Sequence, residues 1–217
     1  MRAVDVQRGA RVGSLSAKAW VEGVLQAGMA HCAERFRGQG KLVADSHGAI
    51  PVDERSLTAI VGEDAAPYQW LRSSLVAVMA AHVVYRKVDP RPAGFSARWL
   101  QDVLRERLGF DGAIFSDDLS MEGARMMGGK TLSTVEAGVA ALNAGCDLLL
   151  LCNQSLAGGA KLDAWLDGME QALAQGDWQR NPQSEQRRLA LLPQTAPLAW
   201  EELMQHPAYL QALEQLP

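Results

Sequence analysis

No apolar run in this sequence approaches the roughly 18 residues that a membrane-spanning helix needs. Runs such as Leu148 to Cys152 have only the length of a strand. The segment Met1 to Gly9 lacks the apolar core of a secretory signal. Cysteine is scarce as well. Cys32, Cys146 and Cys152 are an odd number without C-x-x-C spacing, which argues against a disulfide framework and against a zinc site. A reducing cytoplasm is therefore the expected setting. A net charge of -4 supplies no basic field, so neither nucleic acid nor a membrane is an expected partner. What remains is a chain of 217 residues, 48% hydrophobic and 21% charged, enough for one globular core.

The apolar segments alternate in type. Arg2 to Val6 reads as a strand and Ala17 to Ala30 as a helix, while 33–48, rich in Gly and charge, reads as a long loop. Ser56 to Ile60, with Ser56 as N-cap, and Pro67 to Leu71 read as helical pieces. Leu75 to Tyr85 is nearly continuous Val, Ala and Met, which predicts a strand buried on both faces. Pro90 and Pro92 mark a loop, and Ser96 opens a helix with Trp99, Leu100, Val103, Leu104 and Leu108 at helical spacing. Ala113 to Phe115 is a further strand, Leu132 to Ala144 a helix ended by Gly145, Asp147 to Cys152 a strand and Leu162 to Ala174 a helix. From Gln175 the chain turns polar and closes on a helix over Trp200 to Leu216, broken at Pro207. Strands alternating with helices predict a parallel α/β fold. The expected organisation is a single domain over 1–217, with 175–217 as a polar helical extension.

Two constellations carry chemistry. Ser116-Asp117-Asp118 lies where a buried strand ends, the edge at which α/β barrels place catalytic groups. Side chains alternate along a strand, so the two carboxylates cannot both face one ligand. One can meet a substrate while the other binds backbone; the alternative is that both merely cap the helix near Met121. In Asp45-Ser46-His47, an Asp two residues from a His can raise the imidazole's proton affinity and make an acid or base useful near neutral pH. Ordinary loop polarity is the other reading. His82 ends an apolar run, facing either a pocket or the core, and Asn153 either contacts a polar ligand or closes a turn. Trp99, Trp165 and Trp200 fall at core spacing on helices and are assigned to packing.

The string Gly109-Phe110-Asp111-Gly112-Ala113-Ile114-Phe115-Ser116-Asp117-Asp118-Leu119-Ser120-Met121 resembles the family 3 glycoside hydrolases, in particular their bacterial β-N-acetylglucosaminidase branch of peptidoglycan recycling. Ala44 to His47, Ala49 to Asp53, Met79 to Tyr85, Pro92 to Ser96 and Ala144 to Asp147 match in the same order. The resemblance implies a TIM-barrel fold, of which this chain would be the C-terminal half to two-thirds, since only about four strands are read where a closed barrel has eight. It implies a retaining mechanism with Asp117 as nucleophile and His47, oriented by Asp45, as acid and base in place of the usual second carboxylic acid. The implied substrate is a terminal β-linked N-acetylglucosamine on a muropeptide-type fragment, and no metal or organic cofactor is implied. Glu34, Arg35, Met79, His82 and Asn153 fall at expected sugar-binding positions.

Two departures stand out. A family Lys-His-Phe-Pro-Gly-His-Gly motif aligns with Glu34-Arg35-Phe36-Arg37-Gly38-Gln39-Gly40, and a sugar-contacting Arg aligns with Leu15. Removing a hydrogen-bonding partner from a buried site costs about 1–3 kcal/mol each time, which predicts impaired turnover. An open arc of strands also exposes edges, so self-association or a covering partner is expected. A non-catalytic remnant that binds sugar or protein is the alternative reading.

Overall fold

In the computed structural model, residues 10–36, 50–156, 158–193 and 196–214 are described. The expected strand at Arg2–Val6 and most of the expected 33–48 loop, Asp45 and His47 included, lie outside them.

Among the described residues eight short strands follow one another: β1 (Ala33–Phe36), β2 (Val52–Asp53), β3 (Ala77–Ala80), β4 (Val84–Tyr85), β5 (Ala113–Asp118), β6 (Met126–Met127), β7 (Lys130–Thr131) and β8 (Leu148–Leu150). Four of them form the main sheet, in the order β1-β3-β5-β8, and every pairing is parallel. Spatial order equals chain order, as repeated β-α units of one sense require. Strand β3, Ala-Val-Met-Ala, is buried along its whole length, which an all-small and apolar sequence permits when both sheet faces are covered.

Two expectations are corrected here. The segment 33–48 does not begin as a loop, because Ala33–Phe36 pairs with β3. Nor is Leu75–Tyr85 one strand. After Ala80 the chain leaves the ladder, and Val84 and Tyr85 pair instead with Val52 and Asp53. The backbone between is satisfied by the turn beyond it: Ala93 donates to Val83 at 2.8 Å and Gly94 to Ala81 at 3.3 Å. Composition is uniform through that stretch, so only tertiary bonding marks the break.

The helices cover the sheet. A helix over Arg98–Arg107 shows π-type bonding, continued by Leu108 N to Val103 O at 2.9 Å. It buries Trp99, Leu100, Val103 and Leu104, each contributing about 1.5–3 kcal/mol through area removed from water. The helix over Thr134–Ala144 starts at a capping box: Ser133 Oγ accepts from Glu136 N at 3.1 Å, and Ser133 N donates to Glu136 Oε2 at 2.7 Å. It presents Ala137, Gly138, Ala141 and Ala144 inward. These small residues let the Ala160–Gln175 helix approach closely, a Cβ on Gly138 falling 3.0 Å from Met169 Sδ.

Gly145 ends that helix at φ 112°, where a side chain is strained, and a Cβ there would collide with the Gln101 side chain. Gly145→Ala is therefore expected to cost about 1–3 kcal/mol, read as a lowered urea midpoint at unchanged slope.

Beyond Gln175 the described residues form further helices. Pro182–Leu189 is a helix capped by Asn181, and Arg187 donates to the Asp111 carbonyl at 3.1 Å. Trp200–Gln205 and Pro207–Glu214 are separate helices flanking His206. Trp200 is 66% exposed, which corrects its assignment to the core. Trp99 is fully buried and Trp165 partly so, with its indole N–H on the Thr134 carbonyl.

At the N-terminal ends of the strands Asp147 ties three elements together. Its Oδ2 accepts from Ile114 N at 2.8 Å and from Arg105 Nη2 at 2.7 Å, while Oδ1 lies 3.5 Å from Arg187 Nη1. A cavity of about 720 Å³ opens beside it, lined by Arg105, Trp178 and Arg187 among others. Asp117 is at the other end of the strands and does not line it.

Candidate active site

The Ser-Asp-Asp step closes β5, at the C-terminal edge of the sheet. Ser116 is buried, and its hydroxyl accepts from Leu150 N at 2.9 Å. That bond bridges β5 to β8 where their register shifts. Beyond it the two aspartates diverge, as strand alternation demands.

Asp117 is 3% exposed. Its Oδ1 accepts from Asp118 N at 2.9 Å. Its Oδ2 accepts no hydrogen bond among the described residues and faces Arg35 Nε at 3.5 Å. The carboxylate is thus oriented through Oδ1, while Oδ2 is held only by the ion pair with Arg35 among the described residues.

Asp118 turns the opposite way. Its Oδ1 accepts from Ser120 N at 2.9 Å and Cys152 N at 3.0 Å, and its Oδ2 accepts from Ser120 Oγ at 2.7 Å. Burial raises the pKa of this carboxyl, but the bonds from Cys152 and Ser120 outweigh it and hold the group below the ordinary carboxylate range. Its stabilising contribution is complete above the unfolded-state value near 4 and is lost as pH falls through the lower folded-state value. The gap in melting temperature between the native chain and Asp118→Asn should therefore shrink below about pH 4. A gap constant from pH 7 to pH 2 would contradict this. Sequence reasoning allowed one aspartate to bind backbone but left open which one. The Asp-x-Ser spacing was the available signal.

His82 is fully buried beyond β3, its ring 5.2 Å from that of Phe95. Neither ring nitrogen makes a hydrogen bond among the described residues. Burial pulls its pKa below the usual imidazole value, against the opposing charge of Asp117, so the ring is neutral at pH 7. Met79 is buried on β3, paired in register with Phe115. Along β1 burial deepens toward the end of the strand, with Glu34 exposed, Arg35 half-buried and Phe36 buried. Asn153 is exposed in a turn after β8, at φ 61°. Leu15 is 69% exposed on the Ala10–Gln26 helix.

The structure thus gathers Asp117, Arg35 and His82 at one end of the sheet, and the Arg35–Asp117 pairing is something the sequence did not disclose. Among the described residues no group of three or more His, Cys, Asp or Glu is placed to hold a metal ion.

Residues 9–191 match the glycosyl hydrolase family 3 N-terminal domain. The chain belongs to glycosyl hydrolase family 3. A β-hexosaminidase of Bordetella pertussis is 46% identical over 204 residues, covering 94% of this chain and 53% of that protein. One from Methylobacillus flagellatus is 43% identical over 197 residues, covering 90% and 52%. The family 3 domain therefore spans about half the length of the curated relatives it matches. Among solved structures, NagZ from Neisseria gonorrhoeae in complex with N-trifluoroacetyl-D-glucosamine aligns with a TM-score of 0.74 at 34% identity, over 95% of this chain and 56% of that one. A family 3 β-N-acetylglucosaminidase from Paenibacillus aligns with a TM-score of 0.72 at 27% identity, over 95% and 39%. The α/β fold is accordingly of the TIM-barrel type expected, and in such folds the C-terminal strand edge that carries Asp117 is the catalytic face.

Proposed function

We propose that this family 3 domain is a retaining glycosidase that removes terminal β-linked N-acetylglucosamine, with Asp117 as nucleophile. The observation that carries the reading is the state of the Asp117 carboxylate. It is buried at the C-terminal end of β5 and oriented through Oδ1, and its second oxygen accepts no hydrogen bond among the described residues. A displacement at an anomeric carbon needs that arrangement. The names of the relatives, and the glucosamine derivative in the Neisseria complex, support the sugar class.

In the first step an Asp117 oxygen forms a bond to the anomeric carbon as the bond to the leaving oxygen breaks. His47, oriented by Asp45, gives that oxygen its proton, then takes one from the water that releases the sugar. Met79, His82 and Asn153 complete the proposed sugar-binding set, the fully buried His82 supporting it from beneath. Substrates are muropeptide-type fragments met in the cytoplasm, a setting in keeping with three free cysteines. Among the described residues no helix is long and apolar enough to cross a membrane. The helices from Gln175 onward extend the same domain, and the edges of the sheet are covered by self-association or by a partner.

A second reading is favoured by Glu34 and Arg35: a domain that binds sugar without cleaving it. Purified chain incubated with a chromogenic β-N-acetylglucosaminide separates the two. Turnover with retained anomeric configuration, abolished in Asp117→Ala, supports the glycosidase. Saturable binding of N-acetylglucosamine by calorimetry without any turnover supports the second reading.

A further inference from the structure

The motif that the function leaves unabsorbed is Glu34-Arg35. Its arginine points toward Asp117: Nε sits 3.5 Å from Oδ2, the oxygen that accepts no hydrogen bond among the described residues. The guanidinium side chain is 29% exposed and the carboxylate 5%, so the pair is only partly screened by water. Strand geometry fixes this placement. Arg35 and Phe36 are the last residues of β1, β1 pairs with β3, and β3 pairs with β5. Glu34 is exposed, whereas Arg35 is half-buried and faces the carboxylate.

We propose that Arg35 is a positioning residue that acts as a brake on the Asp117 nucleophile; this rests on the glycosidase reading above. The argument is one of differential stabilisation. In the resting site Asp117 carries a full negative charge, which Arg35 stabilises. As the carboxylate oxygen bonds to the anomeric carbon, its charge is spent on that bond, while positive charge builds on the sugar ring. The attraction to Arg35 therefore weakens along the reaction coordinate, and repulsion between the guanidinium and the ring grows. Both changes lower the ground state relative to the transition state. The brake slows formation of the glycosyl-enzyme and leaves the sugar's own contacts alone.

The test uses the full chain and the neutral substitutions Arg35→Gln and Arg35→Met, with Arg35→Lys retaining the charge. Folding of each is checked by thermal melting, and two neutral variants are used so that one folded sample suffices. On a chromogenic β-N-acetylglucosaminide, kcat is expected to rise at least tenfold in the neutral variants with KM changed less than threefold. Arg35→Lys should stay near the native rate. A fall in kcat/KM carried by a higher KM would make Arg35 a sugar-holding residue and overturn the brake. A rise in kcat shared by Arg35→Lys would overturn it too, since charge would then be irrelevant. Turnover that survives Asp117→Ala, or no turnover by any folded variant, overturns the glycosidase reading itself and the brake with it.

Discussion

Asp117→Asn is expected to lower kcat/KM on a chromogenic β-N-acetylglucosaminide by at least about 1000-fold, or about 4 kcal/mol of transition-state stabilisation. The amide retains the oxygen that accepts from Asp118 N, so the local fold has no reason to shift. What is lost is the negative charge and the basic lone pair on Oδ2, which a covalent step requires. Folding stability should change by no more than about 2 kcal/mol, because the half-buried Arg35 loses one opposite charge. Kinetics and urea denaturation on one sample separate the two effects. A loss under tenfold would move the nucleophile elsewhere.

The second large effect lies at the other end of the sheet and concerns stability. Asp147→Ala is expected to cost about 3–5 kcal/mol, the penalty for leaving one partner of a buried ion pair alone. Its side chain is 3% exposed, and that of Arg105 is 11%. The same carboxylate also receives Ile114 N and approaches Arg187. Truncation therefore strands a guanidinium and a backbone N–H in one place. Small domains hold only about 5–15 kcal/mol in total, so the variant should unfold at a much lower urea midpoint. Asp147→Asn, which can still accept from Ile114 N, should recover part of the loss. Equal midpoints for Asp147→Ala and the native chain would show the cluster to be dispensable.

These two aspartates illustrate what was legible in the residues alone. Asp117 was readable because the short apolar run Ala113 to Phe115 leads at once into Ser-Asp-Asp, so its position at a strand end followed from pattern. Cap chemistry was readable for the same local reason: Ser56 accepts from Ala59 N, and Gly145 closes its helix in the left-handed region. Asp147 looked like the first residue of a strand, since nothing near it in sequence announces Arg105 or Arg187, both 40 or more positions away. Strand β1 was hidden because Ala-Glu-Arg-Phe has two charges in four residues, a composition that edge strands tolerate and loops share. The Pro182–Leu189 helix was hidden because Gln, Ser, Glu and Arg leave no apolar stripe, although Asn181-Pro182 is a sound start signal. The break inside Leu75–Tyr85 could not be read at all. Its cause is a pairing with Val52 and Asp53, more than 20 residues upstream. Asp45 and His47 remain a reading of sequence, outside the described residues.

The bracket that Asp118 makes between Ser120 and Cys152 bears on how any mutational survey of this domain should be scored. Loosening it would let the end of β5 swing, carrying its neighbour out of alignment with a sugar. A colony assay that reads colour alone would give Asp117 and Asp118 the same mark, and the family string Ser-Asp-Asp would look like a catalytic pair. On the glycosidase reading proposed above, only the neighbour touches substrate. Asp118 is the splint that sets it, and a stability readout taken beside the colour would tell the splint from the reagent.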